Sequence, residues 1–295
     1  MTTNTPSASG TIIVGVDDSP ASEHAVMWAA DEARLQHRTL TVVHAQSTIG
    51  SNELAVLAGA GIPPRQVNDH LRDSASRVVE RARALAADRL PSGDVDTILA
   101  ATDPRSLLLD ASATASMVVV GSRGHGPVAG LLLGSVSGAL VRHSSIPVAV
   151  VRPNQGRKGG VLAAADGSEA SLVPLEAAYR EASLHGVGLT IVHCLWDALY
   201  SQVRWTEPDA SNPEVREARV MVAESIAGMG EKFPDVAVDV RVTRGAVDAC
   251  LVDLSESFDL LVVGRPPMTF GQRLLLGGIT TSVAEHAHCP VLVVP

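Results

Sequence analysis

Aromatic residues are nearly missing from this 295-residue chain. It has three tryptophans, two tyrosines and three phenylalanines, and only Trp28 falls in the first 150 positions. Any core in that half must be aliphatic. Lysine is scarcer still. Of 23 basic residues only Lys158, in RKGG, and Lys232, in EKFP, are lysines. Neither setting suits a catalytic amine, and no GxxxxGK[ST] phosphate loop is present. The three cysteines, Cys194, Cys250 and Cys289, are odd in number and contain no CxxC pair. That argues against a zinc site or a disulfide framework and predicts three buried neutral thiols. A basic face is lacking too. Net charge is −9, with −2 in residues 1–152 and −7 in the rest, so no nucleic-acid partner is expected. Residues 1–9 show no basic n-region and no apolar stretch. The longest uncharged apolar window, 124–141, carries five glycines, and no membrane span is expected there. A cytoplasmic location follows as the expectation.

What is present is apolar and repeated. Hydrophobic residues make up 46% of the chain and charged residues 19%, enough for packed cores and too little charge for disorder. TIIVGVDDSPAS (11–22) resembles GVLAAADGSEAS (160–171), and TLTVVHA (39–45) resembles GLTIVHC (188–194). ASMVVVGSRG (115–124) pairs with FDLLVVGRPP (258–267), and GLLLGSVSGALVRHSSIPVAVV (130–151) with RLLLGGITTSVAEHAHCPVLVV (273–294). The offset is 149 from Asp17 to Asp166 and from His44 to His193. It is 143 from Gly121 to Gly264, from Gly134 to Gly277 and from Pro147 to Pro290. Such coincident anchors mark a duplicated domain. The joint, RPNQGRKGG (152–160), is rich in glycine and charge, which places the domains at 1–153 and 154–295.

Each unit alternates strand and helix. IIVGV is an apolar run of the kind buried on both sheet faces. Ser19-Pro20 opens a helix to about Gln36. LTVVHA, VDTILAA, MVVVG and PVAVV read as further strands. Helices are predicted at 64–89, with Val67, Leu71, Val78 and Leu85 on the apolar face, at 104–113 and at 135–144. The predicted fold class is α/β: two tandem, doubly wound, Rossmann-like domains with five-stranded parallel sheets. Ligands of such folds sit at the carboxyl ends of strands, where strand order reverses. The short terminal strands 147–151 and 290–294 invite pairing with each other, an intramolecular domain contact.

The stretch VVVGSRGHGPVAGLLLGSVSG (118–138) carries the chemistry. A buried strand ends at Gly121, a glycine-rich loop follows, and a helix starts near Gly134-Ser135. Glycines let backbone amides approach a ligand, and a helix start adds unpaired N–H groups. Ser135 and Ser137 add hydroxyls. This makes an anion cradle that needs no lysine. Spacing alone leaves three readings open: a dinucleotide loop in GHGPVAG, glycines that merely shape a loop, and a mononucleotide cradle. The first fits poorly, since the loop follows the fourth strand rather than the first.

The spacing Gly121-x2-Gly124-x9-Gly134-Ser135 resembles the nucleotide signature of the universal stress proteins. With the VGVDDS opening, VVHA, LLGSVS and IPVAVV, the resemblance runs from about Thr11 to Val294 and matches the tandem members of that family. It implies an adenine nucleotide, ATP with Mg2+, at the strand ends. Asp17, led into by Gly15 and Val16, would lie near adenine and ribose, and Ala45 would offer backbone to the base. Val120, Gly121, Arg123, Gly124, His125, Gly134, Ser135, Val136 and Ser137 would surround ribose and phosphates. Asp166, Gly264 and Gly277 are the counterparts in the second unit. No catalytic residue and no protein-held metal stand out.

Each position also has a plainer reading. Asp17 could cap the helix after Ser19, His44 could be a hydrogen-bonded core residue, Arg123 and His125 could lie in solvent, and Asp18 reads as solvated. The second unit departs from the signature: Pro267 replaces a glycine and Gly278 a serine, which puts its site in doubt. The leading functional expectation is a nucleotide-binding stress sensor or regulator. The alternatives are a slow ATPase or self-phosphorylating enzyme, and a dimerisation scaffold. The resemblance also implies a homodimer, whereas the sequence names no protein partner.

Overall fold

The computed structural model describes residues 10–46, 56–57, 59–61, 63–124, 133–153, 159–196, 205–265 and 277–295. By contacts the chain divides into two compact units, Met1–Ile146 and Pro147–Pro295.

In the first unit, β1 (Ile12–Gly15), β2 (Leu40–Ala45), β3 (Val95–Ala100) and β4 (Met117–Gly121) form a parallel sheet in the order β3-β2-β1-β4. The helices are α1 (Pro20–Leu35), α2 (Pro64–Ala87), α3 (Pro104–Ser112) and α4 (Ser135–His143). The chain builds outward from β1 through β2 to β3, then returns to the other side of β1 as β4. The two directions part at the carboxyl ends of β1 and β4. A crevice for a ligand opens at such a reversal.

Composition dictates how the layers touch. The central strands β1 and β4 are buried along almost their whole length, as uninterrupted Ile and Val runs require. The inner face of α1 is Ala25, Val26, Ala29, Ala30 and Ala33, all buried. Small side chains let this helix lie close on the sheet. The long helix α2 follows the same rule. Ala75, Val79, Ala82 and Ala86 are its buried seam, with Val67, Leu71, Val78 and Leu85 only half-buried beside it. The larger apolar residues predicted the correct helix but not the tightest contact line. Trp28 is half-exposed, so the first unit's core is aliphatic.

The second unit repeats this plan. Its strands are β5 (Val148–Val151), β6 (Val161–Ala164), β7 (Leu189–Trp196), β8 (Val238–Gly245), β9 (Leu260–Gly264) and β10 (Val291–Val294), in the order β5-β10-β9-β6-β7-β8. Its helices are α5 (Leu172–His185), α6 (Pro213–Ser225), α7 (Met229–Lys232), α8 (Val247–Ser255) and α9 (Gly277–His286). All its strand pairs are parallel except one. The two PVxVV segments meet as an antiparallel ladder of β5 and β10, with Val148 opposite Val293, Ala149 opposite Leu292 and Val150 opposite Val291. This ladder is why the division by contacts falls before β5, while the repeat in sequence ends just after it. Arg152 donates to the carbonyls of Ala284 and Glu285 in the last turn of α9. A cation there meets the negative end of the helix dipole. Among the described residues, no helix is long and apolar enough to cross a membrane.

Candidate functional site

The site is assembled at the carboxyl ends of β1 and β4. Beyond β1 the backbone amide of Val16 donates to Val43 O, which holds the strand end against β2. His44 places its ring Nδ1 2.8 Å from Val16 O and is partly buried, so it straps β2 to the same turn. This is the core role anticipated for it. Asp17 follows. Its Oδ1 accepts from Ser19 N at 3.1 Å and from the Ser19 hydroxyl at 2.5 Å, while Ser22 Oγ donates to Asp17 O at 2.6 Å. Ser19 in turn caps α1 by accepting from Ser22 N. Asp17 therefore orders the capping residue and does not itself cap the helix. Asp18 is exposed.

The second wall is the turn after β4. A methyl group built on Gly124 would lie 2.2 Å from Asp17 Oδ2, so the carboxylate rests directly against the glycine backbone and a side chain at 124 would push it from this position. Gly121 has a different task. A Cβ there would meet the backbone of Ala21 at 2.8 Å, so this glycine admits the first turn of α1 onto β4. Gly15 is confined by Leu108 and Val120, whose methyl groups lie 2.8 and 3.2 Å from where its Cβ would be. Val120 thus acts through packing beneath the site. Arg123 is exposed, as is Gly124, while Ala45 ends β2 half-buried opposite Ala100. His125 lies outside the described residues.

The third wall is α4. Its N-cap is Gly134, whose amide donates to Ser122 O at 2.9 Å, and no side chain caps the helix among the described residues. By contrast, Ser19 caps α1 and Asp103 caps α3. The start of α4 therefore presents the amides of Ser135, Val136 and Ser137 at the positive end of a nine-residue helix. Ser135 is exposed and Val136 half-buried. The Ser137 hydroxyl is already committed, donating to Gly121 O at 2.7 Å inside the protein. It ties α4 to the strand end, so its contribution to an anion is through backbone.

The second unit reproduces the frame. Asp166 Oδ1 accepts from Ser168 N at 2.9 Å, from Ser168 Oγ at 2.6 Å and from Ser171 Oγ. Burial raises the Asp166 carboxyl, but the hydrogen bonds from Ser168 and Ser171 outweigh it and hold the group below its ordinary value. His193 Nδ1 lies 2.9 Å from Ala165 O, matching His44. Thr280 Oγ1 donates to Gly264 O at 3.0 Å, matching the Ser137 strap. Gly264 admits Pro174 as Gly121 admits Ala21, and Gly277 begins α9. Pro267 lies outside the described residues.

The shared Asp-x-Ser-x-x-Ser spacing, at 17, 19 and 22 and again at 166, 168 and 171, is a sequence signal for the carboxylate's scaffold. Sequence reasoning passed over it. The Ser137 and Thr280 straps had no comparable signal, because a buried hydroxyl and an exposed one read alike.

The profile of the universal stress protein family matches residues 9–152 and again 160–295. The chain belongs to the universal stress protein family. Among curated proteins, this universal stress protein is 37% identical over 294 residues to one from Mycobacterium tuberculosis, covering 96% of this chain and 95% of that one. It is 34% identical over 296 residues to one from Mycolicibacterium smegmatis, covering 96% of each. Among solved structures, a universal stress protein from Archaeoglobus fulgidus superposes with a TM-score of 0.70 over 97% of this chain and 96% of that one, at 22% identity. That similarity extends the agreement to the fold across both units.

Proposed function

We propose that this universal stress protein binds an adenine nucleotide, ATP accompanied by Mg2+, in its first unit and acts as a stress-response sensor or regulator. One observation carries the reading. The uncapped start of α4 and the glycine turn at Gly124 face the same strand-end reversal as the Asp17 carboxylate. Amides at a helix start suit phosphates, and a carboxylate suits sugar hydroxyls. The family signature formed by Gly121, Gly124, Gly134 and Ser135 supports adenine as the base. Arg123 is exposed at the rim, where it can meet phosphate.

The Asp166 site is the weaker of the two in this reading. Gly278 stands where Ser135 does in the first unit, and Pro267 where Gly124 does. A proline has no amide to offer. The domain limits that go with the reading are 1–153 and 154–295.

Calorimetric titration with ATP tests it. Asp17→Ala should weaken binding by about 10- to 100-fold, the worth of a charged hydrogen bond. Asp166→Ala should weaken it less. Equal losses would overturn the assignment of the stronger site. A turnover assay on the same samples separates a regulator from a slow ATPase.

A further inference from the structure

The fold brings together two of the three cysteines that the sequence keeps apart. Cys194 lies near the carboxyl end of β7, in register with Thr243 of β8. Cys250 lies in the first turns of α8. Both thiols flank the Thr243 side chain, Cys194 as its cross-strand partner and Cys250 as its hydrogen-bonding neighbour. Thr243 Oγ1 is 3.2 Å from Cys250 Sγ, and Gly245 O is 3.5 Å from Cys194 Sγ. Cys250 and Thr243 are fully buried, whereas Cys194 is half-buried. The pair is peculiar to the second unit, since the matching positions of the first are Ala45 and Leu107.

We propose that Cys194 and Cys250 are a peroxide-reactive thiol couple that closes reversibly to a disulfide, with Cys194 attacking and Cys250 resolving. The oxidant is a hydroperoxide. The Cys194 thiolate attacks one peroxide oxygen, the S–O bond forms and the O–O bond breaks. The second oxygen departs and takes a proton as water or alcohol. Cys250 then gives up its proton, and its sulfur attacks the sulfenic sulfur. The S–S bond forms, the S–O bond breaks, and hydroxide leaves with that proton as water. Two thiols lose two electrons and one peroxide gains them. A dithiol restores the pair by exchange.

Exposure assigns the roles, because a peroxide reaches the half-buried sulfur before the buried one. Electrostatics agree. The neighbouring Cys250 thiol lowers the Cys194 thiol to about 7, against the opposing effects of burial and of the Asp248 carboxylate. The same pairing, with burial and Asp253, pushes the Cys250 thiol up. Of the two, Cys194 gives up its proton the more readily. The first step should therefore quicken as pH rises through about 7.

The test uses the reduced full-length chain with hydrogen peroxide, followed by alkylation in denaturant, intact mass and peptide mapping. Two of the three thiols should be lost, the mass should fall by two hydrogens, and a Cys194–Cys250 cross-linked peptide should appear and vanish with a dithiol reductant. Cys289 should stay a reduced thiol that the alkylating reagent labels. Cys250→Ser should stop at a Cys194 sulfenic acid that dimedone traps, and Cys194→Ser should leave Cys250 unreacted. The parent's own peptide map decides even if a variant folds poorly. Three intact thiols, or Cys194 over-oxidised with no cross-link, would overturn the proposal. Nucleotide binding plays no part in the readout.

Discussion

At the scale of single residues, the glycines divide by what stands opposite them. Gly121 faces the backbone of Ala21, and Gly124 faces the Asp17 carboxylate. Gly134 meets nothing closer than 3.7 Å, at an extended φ of −68° that any residue adopts. A side chain at 134 therefore fits the fold but presses toward Gly124 N, where a phosphate would lie. Gly134→Val should stay folded and bind ATP about 10-fold or more weakly, as read by calorimetry. Gly121→Val should instead cost about 1–3 kcal/mol of stability through overpacking, as read by urea unfolding. Spacing treated these two glycines as equivalents, and the neighbours separate them.

Asp166 offers a pH prediction. Its folded-state carboxyl lies below the ordinary value, so the stabilisation it adds is complete above the unfolded-state value of about 3.8. That stabilisation fades as pH falls through the lower, folded value. Replacing both Ser168 and Ser171 with alanine removes the two hydroxyl donors and leaves only backbone amides to offset burial. The Asp166 carboxyl should then titrate at higher pH in a carbon-detected NMR experiment. An unmoved titration would show that the serines do not hold it.

At the scale of elements, capping and edge pairing decide which segments are available to a ligand. Helices α1 and α3 close their own first turns with Ser19 and Asp103, whereas α4 starts on a bare glycine. The N-terminal Ser-Pro of α1 was legible because Pro at the first turn and Ser before it are local signals. The start of α4 near Gly134-Ser135 was legible from its glycine spacing, whereas its lack of a side-chain cap is seen only in the structure. That this helix start would face Asp17 came only from the family resemblance, because local signals do not reveal the crossover from β3 to β4. Strand β10 lies between β9 and β5 in the ladder. Val293→Pro removes an N–H from this interior strand, so it should lower the second unit's stability by about 2–3 kcal/mol. Hydrogen exchange should show β5 losing protection along with β10.

At the scale of the whole molecule, duplication supplies two frames and divergence makes them unequal. The carboxylate scaffold, the histidine strap and the hydroxyl strap recur in both units. The departures cluster on the glycine turn and on the first helical residue after it. Titration of the intact chain should therefore give a stoichiometry near one nucleotide per chain. Two equivalent sites would show that the turn in the second unit tolerates its proline. The second unit alone carries cysteines at 194 and 250, at positions where the first has alanine and leucine.

Sequence by itself determined the duplication, the α/β class, the strand and helix order and the family, because apolar periodicity, glycine spacing and a repeat at constant offset are all one-dimensional signals. Tertiary structure decided the rest. It set Gly124 against Asp17, gave Gly121 to helix packing and committed the Ser137 hydroxyl to a carbonyl. It also brought together two thiols that no spacing connects. These contacts join strands and helices distant along the chain, and their partners depend on strand order and helix crossover. A side chain's chemistry is written in its own position, but its availability depends on what the fold packs against it.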